Sequence, residues 1–100
     1  MDSDLKDLHQ PVRLRLMAVL VRQHELGFAA LRDGLELTDG NLGSHMAKLI
    51  DHGWVTSRRA LVDTHFEVRY TITRSGIAAF GRYRAWLRDV LENEQMPRKV

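Results

Sequence analysis

The hundred residues contain no cysteine, which excludes a disulfide framework, a thiolate zinc site, an iron–sulfur cluster and a cysteine nucleophile. Long apolar runs are missing as well. The run through Met17 to Val21 falls far short of the roughly 20 residues a membrane helix needs. The N-terminal MDSDLKDL is acidic and has neither a cationic stretch nor an apolar core, so it does not read as a signal peptide. Neither sign of charge dominates: 15 Lys and Arg stand against 13 Asp and Glu, a formal +2. The length fits one domain of about 50–200 residues and is too short for most two-domain enzymes. A water-soluble domain, expected in the cytoplasm, is what remains.

Along the chain, apolar periodicity sets out a series of elements. Leu5-Lys6-Asp7-Leu8 is a short amphipathic turn, and Pro11 opens or kinks a helix, the first turn being the place a helix tolerates proline. Val12, Leu16, Val19 and Leu20 recur at helical spacing, widened by Leu14, Met17 and Val21, and Gly27 is expected to end this helix. A second, short helix spans Phe28 to about Leu35, with Phe28, Leu31 and Leu35 on one face. Glu36-Leu37-Thr38 makes a tight connection, and Thr38 or Asp39 caps a third helix that places Leu42, Met46, Leu49 and Ile50 inward and stops at Gly53. Two helices joined by three or four residues have the helix-turn-helix spacing.

After Gly53 the period changes. Trp54 to Arg58 is rich in aromatic and β-branched residues, while Phe66, Val68, Tyr70 and Ile72 alternate with polar partners, predicting a half-buried strand. Arg59 to His65 would close a hairpin with a loose tip. Thr73 then caps a last helix from Arg74 or Ser75 to about Asn93. Residues 1–93 read as one domain, and 94–100, with Pro97 and no periodicity, as a frayed tail. The fold class expected is α+β, mostly helical: a winged helix-turn-helix with three helices, a β-hairpin wing and a C-terminal helix.

The outward face of the third helix carries Asn41, Ser44, His45 and Lys48. Asn pairs bidentately with adenine in the major groove, Lys reaches guanine or phosphate, and Ser and His donate to base edges or phosphates. Thr38 and the first backbone N–H groups form a favourable phosphate site. Gly40 and Gly43 remove side chains near the helix start, which would let DNA come close to the backbone. From Thr56 to Arg88 seven arginines face only Asp63 and Glu67, a local +5 that leaves −3 for the rest of the chain. Arg58, Arg59 and Arg69 fall in the hairpin, where they would meet phosphates without reading sequence. The alternative is a solvated strand face with Arg69 paired to Glu67 or Asp63.

Three stretches carry a family resemblance. The run Leu37 to Val55, LTDGNLGSHMAKLIDHGWV, resembles the recognition segment of small winged-helix regulators related to the MarR and ArsR groups. Leu8 to Met17, LHQPVRLRLM, is similar to their first-helix signature, and Tyr70 to Gly76, YTITRSG, to their strand-to-helix junction. The resemblance implies a homodimeric transcriptional regulator on a pseudo-palindromic site, with the third helix (about 39–52) in the major groove and the wing (about 56–72) on the backbone or minor groove. Carried over by position, Thr38, Asn41, His45 and Lys48 become DNA contacts. Two features depart from the pattern: Gly43 and Ser44 stand where such families often carry Ser and a basic residue, and the wing tip, Ala60 to Thr64, lacks a Lys/Arg cluster.

The last helix has two apolar lines: Ile77, Phe80, Leu87 and Leu91, and Ala79, Tyr83, Trp86 and Val90. One of them should stay exposed on a monomer and mark association. A two-fold dimer is therefore expected through Phe80, Tyr83, Trp86, Leu87, Val90 and Leu91, with Leu5 and Leu8 as the natural partners of that surface. A pocket lined by Phe80, Tyr83 and Trp86 at such an interface would admit a small-molecule effector, although aromatics at helical spacing are more often core. The five histidines are scattered and show no ligand spacing, so neither a metal nor another cofactor is expected. Ser44-His45 diverge on a helix without an orienting acid, and Gly40 and Gly43 follow no strand, so no enzyme is expected either. The rival reading is a winged helix used for protein–protein contact without DNA.

Overall fold

The computed structural model describes residues 1–97. A 3₁₀ helix, Ser3–Leu8, leads into α1 (Pro11–Gln23), β1 (Glu25–Gly27), α2 (Phe28–Gly34), α3 (Asp39–Asp51), β2 (Val55–Val62), β3 (His65–Ile72) and α4 (Arg74–Asn93). The strands form one antiparallel sheet in the order β1-β3-β2. This is the winged helix-turn-helix expected from the sequence.

Each helix begins where local chemistry lets it. Pro11 occupies the first turn of α1, and the Gln10 side chain accepts the Arg13 N–H at 2.8 Å. Thr38 and Thr73 cap α3 and α4 by accepting the N–H of Asn41 and Gly76 at 3.1 and 3.0 Å. At the other end of α3, the N–H of Gly53 bonds the Ile50 carbonyl and that of Trp54 the Leu49 carbonyl. That pair of bonds is a Schellman cap, and Gly53 supplies the positive φ of 75° that it demands.

The core joins Leu16, Met17 and Leu20 of α1, Leu31 of α2, Leu42, Met46 and Leu49 of α3, Val55, Tyr70 and Ile72 of the sheet, and Ala79 and Tyr83 of α4. Leu5 and Leu8 complete it, because the 3₁₀ helix packs on α1 and α4 of its own chain. Asp4 accepts from Arg82 at 2.9 Å, and the Asp7 carbonyl accepts from Arg13, which holds that segment down.

Four expectations are corrected. The first helix ends at Gln23, not Gly27: His24 turns to φ 73°, and Glu25–Gly27 pairs with Arg69–Thr71 as a third strand. Ile50, expected inward, is 37% exposed, since α3 is already anchored by Leu42, Met46 and Leu49. The hairpin tip is tighter than a seven-residue loop. Pairing runs out to Val62 and His65, and only Asp63, at φ 56°, and Thr64 make the turn. Leu5, Leu8 and Tyr83, expected on a surface shared with a second chain, are buried in the core of this one. The last helix stops at Asn93, residues 94–97 form no regular element, and residues 98–100 of the expected tail lie outside the described residues.

Candidate nucleic-acid interface

One side of α3 is fixed by Leu42, Met46 and Leu49, which sets the opposite side outward without choice. Asn41, Ser44 and Lys48 follow one another at i, i+3 and i+7 on that outer face, and all three are exposed. At 1.5 Å per residue they span about 10 Å, three base-pair steps of B-form DNA. None of their side chains bonds another group among the described residues, so the polar atoms of this face are free for a partner.

His45 and Thr38 are placed differently. His45 is half-buried, and its Nδ1 accepts a hydrogen bond from Arg13 Nη1 at 3.1 Å. A guanidinium has no lone pair to offer, so Nδ1 must be the acceptor and Nε2 carries the proton. Burial, followed by the charges of Arg13 and Lys48, holds the imidazole pKa below its ordinary value. Thr38 spends its hydroxyl oxygen on the cap. Beside it Asp39, in the first turn, accepts from Arg32 of α2 at 3.0 Å. That bond ties the two helices of the motif together, and it also sets a carboxylate next to the backbone N–H groups expected to take a phosphate.

Residues on the wing divide by face, because successive strand residues point to opposite sides. Arg58 and Arg69 sit opposite each other in the ladder, an arrangement in which like charges repel. Glu25 of β1 relieves it. Its Oε1 accepts from Arg58 at 2.9 Å, and its Oε2 lies 3.7 Å from the Arg69 guanidinium. Arg69 is bound in addition by Glu67. Desolvation pushes the Glu25 carboxyl upward, but hydrogen bonds from Arg58 and Thr71 and the two arginine charges outweigh it and hold the carboxyl below its ordinary value. Of the two partners considered for Arg69, Glu67 is the one present.

Arg59 lies on the other face, with Ser57, Leu61, Phe66 and Val68, and its guanidinium carbon stands 4.9 Å from the Phe66 ring centroid. The sequence reading missed Glu25, hidden in a segment taken for helix, and the exposed pair Leu61 and Phe66. Alternation alone would have set Leu61 and Phe66 on one face, had the hairpin register been known.

Of the four histidines outside α3, His9 and His52 have side-chain partners. His52 donates from Nε2 to the Asp7 carboxylate at 2.7 Å and stacks on Trp54 at 4.0 Å, while His9 shares a 2.8 Å hydrogen bond with Tyr83. Among the described residues no group of three or more His, Cys, Asp or Glu could hold a metal ion, and no helix is long and apolar enough to cross a membrane. On α4, Phe80, Trp86, Leu87 and Val90 are half-buried, and Leu91 is 75% exposed. Of the line Ile77, Phe80, Leu87 and Leu91, only the two ends, Ile77 and Leu91, are exposed, and Phe80 and Leu87 pack against the core.

Residues 12–91 match the family model described as a winged helix DNA-binding domain. An uncharacterized protein of Methanocaldococcus jannaschii is 32% identical over 79 residues, which is 79% of this chain and 86% of that one. A transcriptional regulator homologue from Pyrococcus horikoshii superposes with a TM-score of 0.84 at 28% identity, covering 91% of this chain and 90% of its own. Bacillus subtilis PadR, solved in complex with operator DNA, superposes with a TM-score of 0.64 at 19% identity over 91% of this chain and 54% of its own, a likeness of fold alone.

Proposed function

Since this chain belongs to the winged helix DNA-binding domain family, we propose that it is a transcriptional regulator that binds a pseudo-palindromic operator in double-stranded DNA as a homodimer. Helix α3 enters the major groove with Asn41, Ser44 and Lys48, and the wing lies along the backbone or minor groove. The observation that carries this reading is the outer face of α3: three exposed polar side chains without internal partners, on a helix whose opposite side is locked into the core. Asn41 reads an adenine edge, and Lys48 serves guanine or phosphate. His45, bonded to Arg13, supports α3 from within and reaches DNA only through Nε2. The distal apolar line of α4, ending in Leu91, pairs with its copy. The compartment is the one that holds the DNA, expected to be the cytoplasm. Neither a catalytic role nor an effector is part of this reading.

The test is titration of the full chain against genomic duplex fragments at two salt concentrations. Affinity should fall steeply between them, as counterion release requires. A flat response, or no binding at either, overturns the reading. Lys48→Ala should weaken all sequences alike, whereas Asn41→Ala should relax one base position by about 1–3 kcal/mol. Exposure of Leu61 and Phe66 at the wing tip favours the second reading, a protein–protein module, which the same titration would leave standing if duplex binding is absent.

A further inference from the structure

Three arginines occupy the wing, and they differ in what they are free to do. Arg58 and Arg69 share Glu25, and Arg69 also holds Glu67, so two guanidinium groups are matched by two carboxylates. A phosphate approaching that face meets almost no net charge, and counterion release rewards only net charge. Arg59 projects from the opposite face. No carboxylate lies within ion-pair distance of it among the described residues. What it has instead is an aromatic ring, Phe66, at 4.9 Å, a cation–π distance. Phe66 is 60% exposed, and Leu61, directly across the ladder from it, is 63% exposed. Neither side chain serves the core, so folding does not account for either.

We propose that Arg59 is the wing cation that contacts the duplex, and that Phe66 is its positioning residue. This rests on the reading of the protein as a duplex-binding regulator. A free arginine loses rotamer freedom when it settles on a phosphate or in a groove. Stacked on Phe66, the guanidinium is ordered beforehand, and the apolar pair keeps carboxylates and part of the solvent away from it. The ring leaves the edge of the guanidinium, where the N–H donors are, open to an acceptor. With one unpaired cation per wing, the wing contributes about one unit of salt dependence per chain.

The experiment uses the full chain, a duplex fragment selected for binding, and fluorescence anisotropy over a salt series. Arg59→Gln should lower affinity about tenfold at low salt and reduce the salt slope by about one per bound chain. The charge-balanced pair Arg58→Gln with Glu25→Gln should stay within about twofold of the unmodified protein. Phe66→Leu keeps an apolar side chain but removes the ring. It should lose about three- to fivefold, with recovery in Phe66→Trp, the better cation–π platform. Without DNA, the Arg59 side-chain protons should carry an upfield ring-current shift that disappears in Phe66→Leu, a signature that a merely structural role would not produce. Equal losses from Arg59→Gln and the charge-balanced pair, full affinity in Phe66→Leu, or an absent ring-current shift would each overturn the assignment. If the unmodified protein binds no duplex, the functional reading falls together with it. If it binds with a steep salt dependence and Arg59→Gln matches it, only the role of Arg59 falls.

Discussion

A methyl group at position 76 would stand 2.2 Å from the Trp54 carbonyl oxygen, so α4 can start against the end of α3 only with glycine there. The obstacle is backbone, which cannot swing aside as a flexible side chain does. Gly76→Ala should therefore destabilise the fold by about 3 kcal/mol, near the upper end for overpacking. Thermal unfolding followed by circular dichroism should show Tm falling by more than about 10 °C, and a change within about 2 °C would refute the steric reading. His45 supplies a pH-dependent counterpart. Burial and the neighbouring Arg13 and Lys48 keep its folded pKa below the ordinary 6.5, so the folded state binds this proton less readily than the unfolded chain. The stability tied to neutral His45 is fully present above pH 6.5 and is lost as pH falls through the lower folded value. Urea unfolding from pH 7 downward should show that decline, and His45→Gln should flatten it. An identical slope in the variant would assign the decline to another group.

Among the elements, those whose signal is local were legible in advance, and those made by distant partners were not. Helices α1, α3 and α4 announce themselves through caps and a 3.6-residue period: Pro11, Thr38 and Thr73 at their starts, and Leu42, Met46 and Leu49 along α3. β1 has only Glu25, Leu26 and Gly27, too few to alternate, and it is a strand solely because Arg69–Thr71 lies beside it. Missing it meant missing Glu25, and with Glu25 the neutralisation of Arg58. The polar face of α3 was readable for the same reason its apolar face was. The inward turn of His45 was not, since it depends on Arg13 across the core. Gly43 sets a test at this scale. A Cβ there would meet open space, so the fold does not require glycine. Gly43→Ala should stabilise α3 by about 1 kcal/mol. If that glycine serves close approach of the backbone to DNA, the same variant should bind duplex more weakly while melting higher. Higher stability with unchanged affinity would show that the gap at Gly43 is not used.

As a whole, the molecule is drawn out. Its extents are 69 × 26 × 21 Å and its radius of gyration is 16.0 Å, against about 13 Å for a compact domain of this length. The twenty residues of α4 make a rod about 30 Å long, and its far end presents Leu91 to solvent beyond the reach of the core. Sedimentation should give about twice the 11.5 kDa chain mass, and Leu91→Glu, at an exposed position, should shift the protein toward the single-chain mass without lowering its helix content. A single-chain mass for the unmodified protein at micromolar concentration would remove the dimer from the proposal.

The short strand β1 has a consequence beyond its own hydrogen bonds. It continues directly into α2, whose Arg32 bonds Asp39 at the head of α3, and it is zipped along β3 at the root of the wing. Helix and hairpin are thereby set at a fixed separation, like the jaws of a caliper. Under the proposed reading, such a gauge measures the distance from one groove to the next as well as what lies in each. A duplex whose grooves are spaced differently, such as an A-form helix, would engage one jaw and miss the other.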